Sequence, residues 1–170
     1  MILHLIRHSE PEVAPGLCYG RLDLPAKNVA AAAERLRAEL PPGLPVWSSP
    51  LRRCRELAGL LHAAPTVDDR LAEMDFGAWE GRPWDAIPRA ELDAWAADVA
   101  GYAPPGGESA QAVQQRILSF VAALTADEVV VVTHAGVIRT LLAAQRDLPA
   151  ARWCELQFPY ASRTVLEIRR

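Results

Sequence analysis

Between Glu128 and Thr133 the chain carries four valines in a row, Val129 to Val132. β-Branched side chains lose freedom in a helix and pack well on a pleated sheet. An unbroken apolar run, rather than an alternating one, describes a strand covered on both faces, as in the parallel sheet of an α/β protein. The pattern predicts an interior strand over 128–133. His134-Ala135-Gly136 then turns into a helix through about Gln145. Residues 2–6, Ile-Leu-His-Leu-Ile, read as a second buried strand.

The remaining segments alternate in the same way. Residues 9–25 hold Pro11, Pro15, Gly16, Gly20 and Pro25 and read as a long loop, a feature that in compact domains is usually functional. Helical spacing marks 28–40, which Pro41-Pro42-Gly43 stops. Pro45-Val46-Trp47 predicts a short strand. Ser49 as N-cap with Pro50 at the first helical position predicts a helix to about His62. Residues 66–87 are turn-rich, and 88–100 read as a helix with Leu92, Trp95 and Val99. Ser109 caps a helix over 110–124. Residues 153–158 and 163–168 are expected to form a terminal antiparallel pair, with Val165 and Ile168 buried. Strands alternating with helices predict a three-layer α/β/α sandwich with a mostly parallel central sheet. The 170 residues, without repeat or linker, are expected to form one domain, 1–170.

Composition narrows the function classes. At 51% hydrophobic and 23% charged residues, the chain is not intrinsically disordered. The net charge is 18 − 21 = −3, which argues against nucleic acid or an anionic membrane as partner while leaving room for a small basic pocket. No run of 18 apolar residues predicts a membrane-spanning helix. Cys18, Cys54 and Cys154 are odd in number and lack CxxC spacing, so a reduced, cytoplasmic chain is expected. The oligomeric state is left open.

Chemistry concentrates at strand exits. Arg7-His8 lies just past the first strand, and His134 just past the valine strand. Ligands of open α/β sheets bind beyond the carboxyl ends of strands, so the two imidazoles are expected to converge on one crevice. Arg52 lies in the first turn of the helix opened by Ser48-Ser49-Pro50, where a cation is disfavoured unless an anion compensates it. Arg53 and Arg55 read as exposed helix residues. Glu73, Asp75 and Glu80 stand close together in Leu-Ala-Glu-Met-Asp-Phe-Gly-Ala-Trp-Glu-Gly. A carboxyl among apolar neighbours can act as a general acid. Asp75 and Glu80 are expected instead to bind turn N–H groups or arginines. His4 and His8 lie four apart on a strand and do not form a metal pair; no metal and no cofactor is expected.

Five blocks stand in order: Arg7-His8; Ser48-Ser49-Pro50-Leu51-Arg52; Leu71 to Gly81; Gly106-Gly107-Glu108-Ser109; and Val132-Thr133-His134-Ala135-Gly136. This order resembles the histidine phosphatase superfamily, of phosphoglycerate mutase-like fold. The resemblance implies that His8 is the nucleophile that becomes phosphohistidine. It implies that Arg7, Arg52 and His134 bind the phosphoryl oxygens, and that Glu73 is the proton donor to the leaving alcohol. Two guanidiniums and a protonated second imidazole would supply the positive charge that phosphoryl transfer needs. Ser9 stands where the wider family carries Gly, and Ala14 where mutases carry Asn. The short segment from Glu73 to His134 favours an open phosphomonoesterase over a mutase.

Residues 11–25, with Gly16-Leu17-Cys18-Tyr19-Gly20, look most like the bacterial α-ribazole phosphatases of cobalamin biosynthesis. The resemblance makes Tyr19 a candidate surface for a flat base and Arg21 a candidate charge at the pocket rim. The expected partner is a small-molecule phosphomonoester, α-ribazole 5′-phosphate first. The alternatives are a broad-specificity sugar-phosphate phosphatase, a phosphoglycerate mutase, or a non-catalytic phospho-ligand binding domain. The last would require a broken catalytic block, and none is broken.

Overall fold

The computed structural model describes residues 1–169. Its elements are β1 (Ile2–Arg7), α1 (Val29–Glu39), β2 (Val46–Ser48), α2 (Arg52–Leu61), β3 (Thr66–Val67), α3 (Arg89–Ala97), α4 (Ala110–Ala123), β4 (Glu128–Thr133), α5 (Ala135–Gln145) and β5 (Arg163–Glu167). Short 3-10 turns fill 69–71, 77–79, 84–86 and 150–155. The five strands form one sheet in the order β3-β2-β4-β1-β5. All pairs are parallel except β1 with β5. The mixed α/β architecture with a mostly parallel sheet is as expected.

The valine run is central because each face of it meets a different helix pair. Val129 and Val131 join Leu3 and Leu5 against α4 and α5, through Val113, Ile117, Phe120, Ile138 and Leu141. Val130 and Val132 join Ile6 and Val46 against α1 and α2, through Ala33, Leu36, Cys54 and Leu57. The four valines of the run are each 0–1% exposed, which explains the absence of alternation in the sequence.

Register then positions the chemistry. Arg7 stands opposite Thr133 and Ser48 opposite Val132. Three parallel strands thus end at one level, and the next residues, His8, His134 and Ser49, leave the sheet side by side. His4, by contrast, is a satisfied core residue. It is bonded to Glu128 at 2.7 Å and accepts from Arg163 Nε at 3.1 Å.

Two expectations fail. Residues 150–155 form 3-10 turns, so the terminal segment has no hairpin of its own. β5 pairs with β1 instead, and its Val165 is exposed while Ile168 is half-buried. Helix α2 starts at Arg52, because the backbone through Leu51 is still extended (φ −73°, ψ 140°). The Ser49 hydroxyl accepts from Leu51 N–H at 3.3 Å, as a cap would, and also bonds His134, but the helix itself begins later and its own cap position, Leu51, has no side-chain cap. No described helix is long and apolar enough to cross a membrane.

Candidate active site

His8 sits at the end of β1 with 2% of its surface exposed. Its backbone N–H donates to Thr133 O at 3.0 Å, which ties it to the end of β4. Its Nδ1 lies 2.6 Å from the Ser9 carbonyl oxygen, which can only accept. Nδ1 therefore carries the proton. Arg53 Nε, which can only donate, points at His8 Nε2 from 3.3 Å. Both neighbours select the tautomer whose lone pair is on Nε2. Burial first, and then the charge of Arg53, lower the imidazole pKa to about 3. The ring is held neutral, with the Nε2 lone pair facing a cation.

His134 is fully buried, and its ring centroid lies 5.0 Å from that of His8. Its Nε2 is 2.7 Å from Ser49 Oγ and 3.4 Å from Cys54 Sγ. Burial, with the charge of Arg53, holds it well below the usual imidazole range. The same causes disfavour the protonated form of the second imidazole that was expected from sequence.

The arginine expected to bind phosphate, Arg52, does not face the His8 imidazole, whereas its neighbour Arg53 does. Arg52 lies on the outside of α2, its Nε bonded to Glu56 at 2.6 Å. Arg53 is 0% exposed. Besides facing His8, it donates from Nη1 to Leu22 O at 2.8 Å and from Nη2 to Gly20 O at 2.6 Å. The buried face of α2 is Arg53, Cys54, Leu57 and Ala58, and helical spacing was the available signal. Arg53 lies four residues before Leu57, on the apolar stripe; Arg52 lies four before Glu56, on the polar one.

Glu80 explains why the loop carbonyls are there to receive Arg53. Its carboxylate accepts from the N–H groups of Gly20, Arg21, Leu22 and Phe76 at 2.9–3.2 Å. Gly20 is required, because a Cβ there would fall 1.9 Å from Met74 O. Asp75 accepts from Gly77 N–H at 2.8 Å. Both acids bind turn N–H groups, as expected of them.

Arg7 donates from Nη1 to Phe158 O at 2.5 Å, and its Nε is buried with no partner. Its guanidinium carbon lies 3.7 Å from the centre of the Tyr160 ring. Among the described residues, neither Arg7 nor Arg53 has a carboxylate within ion-pair distance. The charges of both guanidiniums act on the His8 imidazole, and neither is balanced by a carboxylate ion pair among the described residues.

A cavity of about 550 Å³ opens from His8 and Arg7. Glu73 lines it, its Oε2 accepting from Gly136 N–H at 3.2 Å and its Oε1 from Met74 N–H at 3.0 Å. Gly136 permits this, since a Cβ there would lie 2.3 Å from Glu73 Oε1. One wall carries Phe76, Trp84 and Trp95, the two indoles stacked at 5.9 Å and 7°. Tyr19 reaches the cavity, while the Arg21 guanidinium turns to Glu108 at 3.3 Å and is not among the lining residues. Half-buried Arg139 lines it too, with one hydrogen bond, from Nε to Leu156 O at 3.3 Å. Burial lowers its pKa against the opposing charge of Glu73. Arg139 and Tyr160 were not singled out from sequence; neither belongs to a recognisable motif. Among the described residues, no group of three or more His, Cys, Asp or Glu side chains could hold a metal ion.

Comparison with known proteins finds relatives that align with most of the chain. Over 177 aligned residues the chain is 36% identical to glucosyl-3-phosphoglycerate phosphatase of Mycobacterium tuberculosis, covering 89% of this chain and 78% of that protein. It is 30% identical to adenosylcobalamin/alpha-ribazole phosphatase of Salmonella typhimurium, covering 89% and 82%. Among solved structures, a phosphoglycerate mutase from Thermus thermophilus superposes with a TM-score of 0.82 at 34% identity, covering 100% of this chain and 95% of that one. The mycobacterial glucosyl-3-phosphoglycerate phosphatase superposes at 0.81 and 33%, covering 96% and 88%. Residues 3–170 match the family model of histidine phosphatase superfamily branch 1, and the chain belongs to that superfamily.

Proposed function

We propose that the protein hydrolyses phosphomonoesters through a phosphohistidine on His8. The observation that supports this reading is the fixed tautomer: the Nε2 lone pair faces Arg53, a buried arginine with no carboxylate within ion-pair distance among the described residues. The Nε2 pair attacks phosphorus, and the bond from phosphorus to the alcohol oxygen breaks in line. Arg7 and Arg53 neutralise the equatorial oxygens, and neutral His134 offers a further hydrogen bond. Glu73 gives its proton to the departing alkoxide. In the second half, a water attacks phosphorus, the Glu73 carboxylate takes the water's proton, and the phosphorus–nitrogen bond breaks to restore His8.

The alcohol lies in the cavity beyond Glu73. The aromatic wall of Phe76, Trp84 and Trp95 favours an alcohol with a flat apolar part, and α-ribazole 5′-phosphate is the substrate we propose on that ground. A second reading, a carboxylate-bearing ester such as glucosyl-3-phosphoglycerate, is favoured by Arg139, whose half-buried guanidinium feels the charge of Glu73 but has no carboxylate within ion-pair distance among the described residues. A phosphate-release comparison of the two esters and 3-phosphoglycerate at equal concentration separates the readings. The proposal expects the highest kcat/KM for α-ribazole 5′-phosphate and little effect of Arg139→Gln. A preference for glucosyl-3-phosphoglycerate that Arg139→Gln abolishes would replace it with the second reading.

A further inference from the structure

We propose that Tyr160 is a positioning residue for the phosphoryl site, acting through Arg7. The proposal rests on the phosphatase reading and adds to it a residue from outside the five sequence blocks.

The Tyr160 ring lies 3.7 Å below the Arg7 guanidinium carbon and 5.8 Å, ring to ring, from His8. A guanidinium stacked on an aromatic face is held by its flat surface and keeps its N–H edge available. That edge is the part that pairs with phosphate oxygens. Stacking also meets part of the cost of burying Arg7, whose Nε has no partner.

Tyr160 is itself tightly held. Its turn is pinned to the end of β1 on both sides, by Arg7 N–H to Ser162 O and by Ala161 N–H to His8 O, each at 3.1 Å. Ala161 adopts a left-handed φ of 52° to make that turn. Across the site mouth, the Tyr160 hydroxyl meets the Tyr19 hydroxyl at 3.0 Å, and Tyr19 in turn faces Arg53 at 5.6 Å. Arg7 and Arg53 are each backed by one tyrosine, and the two tyrosines are bonded to each other. The ring of Tyr160 supplies the stack, whereas its hydroxyl supplies only the link to Tyr19.

Orthovanadate binding tests the proposal without requiring the true substrate. Its affinity is measured by titration calorimetry for the wild type, Tyr160→Ala, Tyr160→Phe, Arg7→Ala and the double variant Arg7→Ala/Tyr160→Ala, with thermal unfolding of each. Tyr160→Ala should weaken vanadate by about 10- to 30-fold. Tyr160→Phe, which keeps the ring, should restore most of that loss. In the Arg7→Ala background, removing Tyr160 should cost no more than about twofold further, because residues acting through one contact are not additive. Unchanged affinity in Tyr160→Ala, a Phe variant as weak as the Ala variant, or additive losses in the double variant would each overturn the proposal. A wild type that binds no vanadate would instead overturn the phosphatase reading beneath it.

Discussion

Arg53 Nε stands 3.3 Å from His8 Nε2, a buried cation donating toward the lone pair of a buried imidazole. This contact favours an unprotonated Nε2, and in the proposed mechanism the same guanidinium meets the incoming phosphoryl group. The neighbouring Arg52 has no part in it.

The two adjacent arginines should therefore differ sharply when replaced. Arg53→Ala should lower kcat/KM by about 10²–10³-fold, the range for removing one preorganised donor to a developing charge. Arg52→Ala loses only an exposed pair with Glu56 and should stay within about twofold of wild type. Steady-state kinetics on p-nitrophenyl phosphate checks this. Equal losses would mean that the helix end, rather than the Arg53 side chain, is what matters.

The proposed mechanism has Glu73 protonate the leaving oxygen, so its effect should depend on the leaving group. Glu73→Gln should slow alkyl phosphate hydrolysis by about 10²–10⁴-fold and p-nitrophenyl phosphate far less, since nitrophenolate leaves without a proton. Gly136→Ala puts a Cβ against Glu73 Oε1 and should show the same pattern more weakly. Asp75→Asn, which touches a turn N–H, should lower the melting temperature without changing the ratio of the two rates. A Glu73→Gln variant that slows both esters equally would assign the carboxyl to positioning phosphate.

The depressed pKa of His8 makes stability depend on pH. The folded protein holds the ring neutral down to about 3, whereas the unfolded chain takes up a proton near 6.5. Between those values the unfolded state binds more protons, so the contribution is complete above pH 6.5 and is lost as pH falls toward 3. His134 is lowered too and acts in the same direction. From pH 7 to pH 5 the His8 part alone amounts to ~2 kcal/mol. Urea unfolding of wild type and His8→Asn at both pH values measures it, and the variant should show the smaller change. Identical pH dependence in both proteins would contradict the assignment.

The sheet was legible because its cause is local. Four valines with no polar alternation describe a doubly covered strand, and equal strand ends bring His8 and His134 together without further information. The acids were separable as well, since Asp75 and Glu80 belong to turns whose N–H groups need acceptors. Arg53 was missed because Ser49-Pro50 reads as a helix start, and that choice makes Arg52 the first-turn cation. In the fold, the Ser49 hydroxyl bonds His134 and the helix begins at Arg52, with Arg53 on its inward face. Tyr160 and Arg139 were not readable at all. Their roles come from which surfaces the terminal segment and α5 meet, and no spacing in the sequence encodes those contacts.

The central claim is a covalent phosphoryl group on His8. The most direct test is brief turnover of a radiolabelled phosphomonoester, followed by denaturation at alkaline pH and peptide mapping. The account predicts an acid-labile, alkali-stable label on the peptide that contains His8, and neither label nor activity in His8→Asn. Label on another residue, or undiminished turnover by His8→Asn, would contradict it.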